Sequence, residues 1–273
     1  MDAERVQVAI KNQVRTLTMN QPKRLNGWTA EMMAALKDAL RAADADADTR
    51  AIVITGSDPY YSAGVNLGGT LKLAHPRTLH AQIVAHNQAL FDAFINVAKP
   101  ILAAVNGPAI GACVTTATLC DAILASDRAT FSTPFARLGV PPEGCSSVLF
   151  ARLIGEANAT RMLGVEGWAP TGAEAAEIGL AERVVPHERL LDEAQQLAEA
   201  WVAAGRTRGY RGGATADELR RVNAQESIAV ATAFLSPPFL RGQYAFLSSR
   251  GKRGPALMFW LLWRTHPLWS RLR

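Results

Sequence analysis

The chain has 273 residues, 49% of them hydrophobic and 19% charged, which excludes wholesale disorder and leaves enough length to bury a substantial core. The net charge of +5 permits an anionic partner without naming one. Three cysteines, Cys113, Cys120 and Cys145, fall at no paired spacing, which excludes a disulfide framework and points to a reducing compartment.

In chain order, residues 5–10 and 14–19 alternate on either side of Asn12 and predict a β-hairpin. Thr29 is placed to N-cap a helix running to Ala42. An acidic, Ala-rich linker at 44–48 leads to an apolar run at 51–55, closed by Gly56, that predicts a buried strand. Residues 64–69 form a glycine-rich turn. Residues 76–97 predict a long helix, ended by Pro100, and 101–105 a second buried strand. Asn106-Gly107-Pro108 reads as a turn, and a small-residue helix begins near Ala112. Two further strands are expected at 122–125 and 129–132. Beyond Pro141 the pattern is helical, at 146–154, 157–163, 172–178 and 188–204. Composition then shifts to Gly and Arg over 205–213, before a helix at 216–234. The expected division is a core of residues 1–200 and a C-terminal helical region, 201–273, with an atypical apolar tail.

The N-terminus has no apolar run behind a basic start, so no secretory leader is expected. The apolar stretch 256–263 is far shorter than the roughly 20 residues of a spanning helix, so no transmembrane segment is expected. It reads as a terminal helix packed on the body or on another subunit. Trp260, Trp263 and Trp269 beside Arg264, Arg271 and Arg273 leave a membrane-surface reading open. Nothing in the chain resolves its source; a cytoplasmic location is expected if that is bacterial, with the peroxisome open if it is eukaryotic.

Several familiar site patterns are absent. Gly64, Gly68 and Gly69 have the wrong spacing for a dinucleotide fingerprint, and there is no Walker A pattern. His75, His80 and His86 do not make an i,i+4 zinc pair. Gly144-Cys145-Ser146-Ser147-Val148 lacks the last glycine of a nucleophile elbow. Cys113 and Cys120 read as buried small hydrophobes. Arg206, Arg208 and Arg211 form one short basic cluster, which reads as a solvated interhelical loop, and nucleic acid is not expected as a partner.

Two loops stand out instead. One is Tyr60-Tyr61-Ser62-Ala63-Gly64-Val65-Asn66-Leu67; the other runs from Val105 through Gly107 and Gly111 to Cys113. Each follows a buried strand and is small-residue-rich, and the second opens a helix. Backbone N–H groups at such places have no partner within their own element. Two such loops brought together would make an oxyanion hole. Taken singly, each is an ordinary glycine turn.

As an ordered set, these loops resemble the crotonase (enoyl-CoA hydratase/isomerase) superfamily, over residues 6–185. Asn20-Gln21-Pro22-Lys23-Arg24-Leu25-Asn26 is similar to the family's Asn-x-Pro-x-x-x-Asn turn. Ser62-Ala63-Gly64-Val65-Asn66-Leu67 is similar to its Ser-Ala-Gly-x-Asp-Leu loop, and Asn106-Gly107 through Gly111, then Cys120-Asp121, to its second oxyanion segment. Pro170-Thr171-Gly172-Ala173-Glu174-Ala175 and Gly179-Leu180-Ala181 resemble its later helix pair.

The resemblance implies an α/β, ClpP-like spiral of ββα units followed by C-terminal helices that build homotrimers or hexamers. It implies acyl-CoA thioester substrates, with no cofactor beyond the CoA moiety and no metal. The oxyanion donors fall on the backbone N–H of Val65 and Ala112, with Ser62, Ala63, Gly64, Asn66, Leu67 and Gly111 around the substrate. Lys23 and Arg24 fall where basic residues meet CoA phosphates. The segment 68–78 falls at a mobile wall of the acyl pocket. The two glutamates of the hydratases fall at Thr115 and near Phe135, and neither is acidic here.

An acid stands instead at Glu143, in a Thr133-Pro134-Phe135 … Pro142-Glu143-Gly144-Cys145-Ser146-Ser147 segment that resembles the peroxisomal-type Δ3,Δ2-enoyl-CoA isomerases. The implied activity is a shift of the 3-enoyl double bond to trans-2 by this single glutamate, with Asn87 helping to order the site. Another crotonase reaction such as hydration, or a non-catalytic acyl-CoA scaffold, is the alternative. Glu143 also stands alone in an apolar stretch, where burial would raise its pKa.

Overall fold

The structure, a computed structural model, describes residues 4–65 and 74–272. The first strands, β1 (Val6–Lys11) and β2 (Val14–Met19), pair antiparallel as the alternation predicts, with Asn12 and Gln13 at positive φ in the turn. Helix α1 (Ala30–Ala45) starts where Thr29 accepts a hydrogen bond from the Met32 N–H, and it buries Met32, Leu36 and Leu40 at helical spacing. Strand β3 (Ala51–Gly56) lies parallel to β2. After helix α2 (Pro76–Ile95), β4 (Ile101–Val105) lies parallel to β3.

A repeat of long strand, short strand and helix then becomes visible. Strand β4 is followed by β5 (Ala109–Ile110) and α3 (Ala112–Thr118). Strand β6 (Ala122–Ser126) is followed by β7 (Phe131–Ser132), the short turn α4 (Phe135–Leu138) and α5 (Ser146–Leu163). Helix α6 (Gly172–Glu177), strand β8 (Arg183–Val185) and helix α7 (Leu190–Ala203) complete the spiral. The main sheet has the order β1-β2-β3-β4-β6-β8, and β5 pairs with β7 in a small second sheet. This is the α/β spiral of ββα units with C-terminal helices that the resemblance implies.

Strands β3, β4 and β6 are buried at every position because both faces of the sheet are covered there. Ile52, Ile54, Ala103, Val105 and Ile123 face the main core, while Val53, Leu102, Ala104 and Leu124 pack under Leu190, Ala194, Ala198 and Trp201. Residues 146–163 form a helix broken by Gly155 at φ 77°, which accounts for the two helical runs in the sequence. Helix α8 (Ala216–Phe234) packs along α2, with Leu219 in the main core. The tail folds as two helices, α9 (Pro237–Ser249) and α10 (Arg253–Trp269), around Phe239, Leu240, Leu247 and Phe259. No helix among the described residues is long and apolar enough to cross a membrane.

One expectation is overturned. The Arg208 and Arg211 side chains are not solvated. Arg208 is 6% exposed and forms an ion pair with the fully buried Asp121, while donating to the carbonyls of Leu119 and Phe94. Asp121 also accepts from the N–H groups of Ile101 and Gly209, both at 2.8 Å. Arg211 donates to the carbonyls of Leu180 and Gly179. A buried cation needs such partners, and the chain supplies them from residues remote in sequence.

Candidate active site

The loop at 62–65 is fastened on both sides. Trp28 donates its N–H to the Gly64 carbonyl at 2.8 Å, and Ile110 donates to the Ser62 carbonyl at 3.0 Å. The Ser62 hydroxyl donates to the Asn26 carbonyl and accepts from the Gly64 N–H. Asn26 is buried and ties this region together: its Nδ2 donates to the carbonyls of Ser57 and Tyr60, and its Oδ1 accepts from the Gln21 N–H. The Cys113 thiol lies within hydrogen-bond distance of the Ser62 and Ile110 carbonyls, so it joins the two loops as well as filling space. Burial pushes that thiol up to about 12, which keeps it protonated.

Glycine is required where the loops meet. Gly64 has φ 77°, and a Cβ there would lie 2.2 Å from the Ile110 carbonyl oxygen. Gly111 has φ 67° and turns the chain into α3. The result is a cavity of about 110 Å3 with Val65 and Ala112 together on its wall. Neither of their N–H groups meets an acceptor among the described residues. Ala112 is the first residue of its helix, where an unpaired N–H is the rule.

The rest of the lining comes from later in the chain. Pro134, Phe135, Leu138 and Val140 form it, with Val230 and Phe234 from α8. Glu143 completes it, as the one ionisable side chain among the described lining residues. Burial raises its carboxyl to about 8, and the nearby negative charge of Glu226 adds to the shift. Phe135 lines the cavity, and Thr115 is buried beneath it: a Cβ on Gly144 would lie 2.5 Å from the Thr115 Oγ1.

Glu226 is the site residue that sequence reasoning missed. On α8 it is 7% exposed, and its carboxylate accepts from the backbone N–H groups of Cys145 at 2.6 Å and Ser147 at 3.0 Å. The signal available in the sequence was the i, i+4, i+8 set Glu226, Val230, Phe234, one helix face.

Of the remaining expected site residues, Ala63, Gly64 and Gly111 line the cavity and Ser62 is buried behind it. Lys23 and Arg24 are exposed on the Pro22–Arg24 turn, which joins the loop at 62–65 where Ala63 donates to the Leu25 carbonyl. Asn87 is not on the cavity wall; its Nδ2 donates to the Ser227 hydroxyl at 3.3 Å and links α2 to α8 beside Glu226. Asn66 and Leu67, and residues 68–73 of the expected acyl wall, lie outside the described residues. Among the described residues no group of three or more His, Cys, Asp or Glu is placed to hold a metal ion.

Residues 9–211 match the profile of the enoyl-CoA hydratase/isomerase family. Among curated proteins, "Enoyl-CoA delta isomerase 2" of Homo sapiens is 34% identical over 259 residues, 91% of this chain and 64% of its own length. The chain thus spans less than two thirds of that relative. A "Probable enoyl-CoA hydratase" of Rhizobium meliloti (strain 1021) is 35% identical over 199 residues, 73% of this chain and 76% of its own. Among solved structures, an enoyl-CoA hydratase/isomerase from Pseudoalteromonas atlantica T6c matches with a TM-score of 0.75 at 27% identity, covering 90% of this chain and 97% of that one.

Proposed function

The chain belongs to the enoyl-CoA hydratase/isomerase family, and on that premise we propose that it moves the double bond of a 3-enoyl-CoA into conjugation as the trans-2-enoyl-CoA. The observation that supports this reading is Glu143, a lone carboxyl lining the same cavity as Val65 and Ala112. Ionised Glu143 takes a C2 proton, which the thioester carbonyl acidifies. The charge that develops on the thioester oxygen is met by the Val65 and Ala112 N–H groups. The carboxylic acid then returns the proton at C4, so base and acid are one group and no other co-reactant is consumed.

In the same reading, Ser62, Ala63, Gly64, Asn66, Leu67 and Gly111 shape the thioester site, and Lys23 and Arg24 meet the CoA phosphates. Asn87 braces α8 behind Glu143. Assembly as a homotrimer or hexamer belongs to this proposal too.

Water addition is the second reading, favoured by relatives named as hydratases, the Rhizobium protein among them. Against it stands the commitment of the other nearby carboxylate, Glu226, to two backbone N–H groups. The test offers trans-3-hexenoyl-CoA and trans-2-hexenoyl-CoA separately and follows the conjugated-enoyl absorbance. A gain with the first substrate and no loss with the second is expected. Loss with the second and no gain with the first would establish hydration instead, and CoA esters bound without turnover of either would favour a scaffold.

A further inference from the structure

We propose that Glu226 is a positioning residue for Glu143, acting through the backbone of residues 144–147 and through its own charge. The kinetic part of this inference rests on the isomerase reading; the structural part does not.

Glu143 sits at the head of a left-handed turn. Gly144 and Cys145 follow it at φ 66° and 65°, two successive left-handed residues, of which Cys145 carries a side chain. Helix α5 then begins at Ser146 with no side-chain cap from its own N-cap residue, Cys145. The missing cap comes from α8. The two Glu226 oxygens take the Cys145 and Ser147 N–H groups, one each, at 2.6 and 3.0 Å. A carboxylate at the start of the helical run 146–154 is favoured by the helix dipole as well as by the bonds. The Ser146 hydroxyl donates to the Glu143 carbonyl at 2.7 Å, which passes the restraint one residue further back.

Glu226 itself is held by α8, whose Asn223 donates to Asp92 and to the Gln88 carbonyl of α2, and whose Ser227 accepts from Asn87. The charged and titratable groups around the pair are Glu143 and Cys145 on the loop, Asp92 on α2 and Glu218 on α8. Glu218 is paired with Arg152. No cation is paired with Glu226 among the described residues, so its charge reaches Glu143 without a counter-ion between them. The same face of α8 places Val230 and Phe234 on the cavity wall, so one helix both shapes the pocket and anchors its base.

The test titrates the Glu143 carboxyl carbon by NMR in the full chain, with Glu143→Gln identifying the signal, in wild type and in Glu226→Gln. Loss of the like charge is expected to move the Glu143 midpoint to lower pH, while burial keeps it above the ordinary carboxylate value. The acid limb of kcat/KM is expected to move with it, and kcat to fall by about 10- to 100-fold with KM little changed. Glu226→Ala, which removes both acceptors, is expected to lose more kcat than Glu226→Gln. In wild type, the Cys145 and Ser147 amide protons should shift together as Glu226 titrates, a readout that needs no variant.

An unchanged Glu143 midpoint in Glu226→Gln, or amide protons indifferent to pH, would overturn the proposal. Wild-type protein that turns over no enoyl-CoA while the Glu143 midpoint still moves would sink the isomerase reading and leave the positioning role standing.

Discussion

The two walls of the cavity are built on different principles. The wall from the spiral, residues 62–65 and 110–112, offers main-chain N–H groups, and its precision comes from glycines and from hydrogen bonds that tie the loop to residues 25–28 and to Ile110. The wall from residues 134–143 and α8 offers a side chain, Glu143, whose properties come from burial and from a second acid 83 residues further along the chain. In the proposed function the first wall acts through the main chain of Val65 and Ala112 rather than through their side chains. The second depends on the identity of single residues. The lesson is that a lone acid in an apolar stretch can be read locally, whereas the second acid that adds to its shift, Glu226, comes into view only with the tertiary fold.

The sharpest way to break this contrast is Glu143→Gln. It keeps shape and removes the base, so kcat with trans-3-hexenoyl-CoA is expected to fall by about 10^3- to 10^4-fold, with CoA-ester affinity retained. Gly64→Ala attacks the other wall. Its φ of 77° and a Cβ 2.2 Å from the Ile110 oxygen force the loop to move, and loss of one oxyanion donor is expected to cost about 10^2- to 10^3-fold in kcat. Val65→Ala, which keeps the N–H, should by comparison change kcat little.

Outside the site, Asp121→Ala leaves Arg208 buried without its partner. Breaking a buried pair in this way is expected to cost about 3–5 kcal/mol, read as a lower denaturant midpoint. The last effect concerns pH and stability. The folded-state pKa of Glu143 lies above its unfolded value, so the folded chain holds a proton that the unfolded chain has lost. Stability therefore falls as pH rises from about 4.5 to about 8. Glu143→Gln removes that penalty, so thermal unfolding at pH 9 should occur at a higher temperature in the variant than in wild type, and at pH 5 the two should differ little.

Much of the spiral was legible in the sequence because its signals are local. The alternation around Asn12, the Thr29 cap and the apolar runs of β3, β4 and β6 each report on their own segment. The bounds of α8 were legible for the same reason, with Thr215 accepting from the Glu218 N–H at its start. The three-residue strand β8 and the helix α9, which opens on a Pro-Pro pair, have too little periodicity of their own to announce them.

In the site, the glycine loops and Glu143 stood out through spacing and resemblance. Glu226 did not, because a single glutamate in an amphipathic helix pattern looks like surface, and its partners Cys145 and Ser147 lie 81 and 79 residues away. Arg208 was misread for the same reason: only the fold brings Asp121, 87 residues distant, under what looks like a solvated loop.

The most direct measurement of the central claim is the pH dependence of kcat/KM for trans-3-hexenoyl-CoA. A base that must be ionised gives a rate that rises with pH, and here the rise should have its midpoint near 8, where burial and Glu226 hold the Glu143 carboxyl. A rate already at its plateau by pH 6, with a midpoint at the ordinary carboxylate value, would contradict a desolvated, tuned carboxyl as the base.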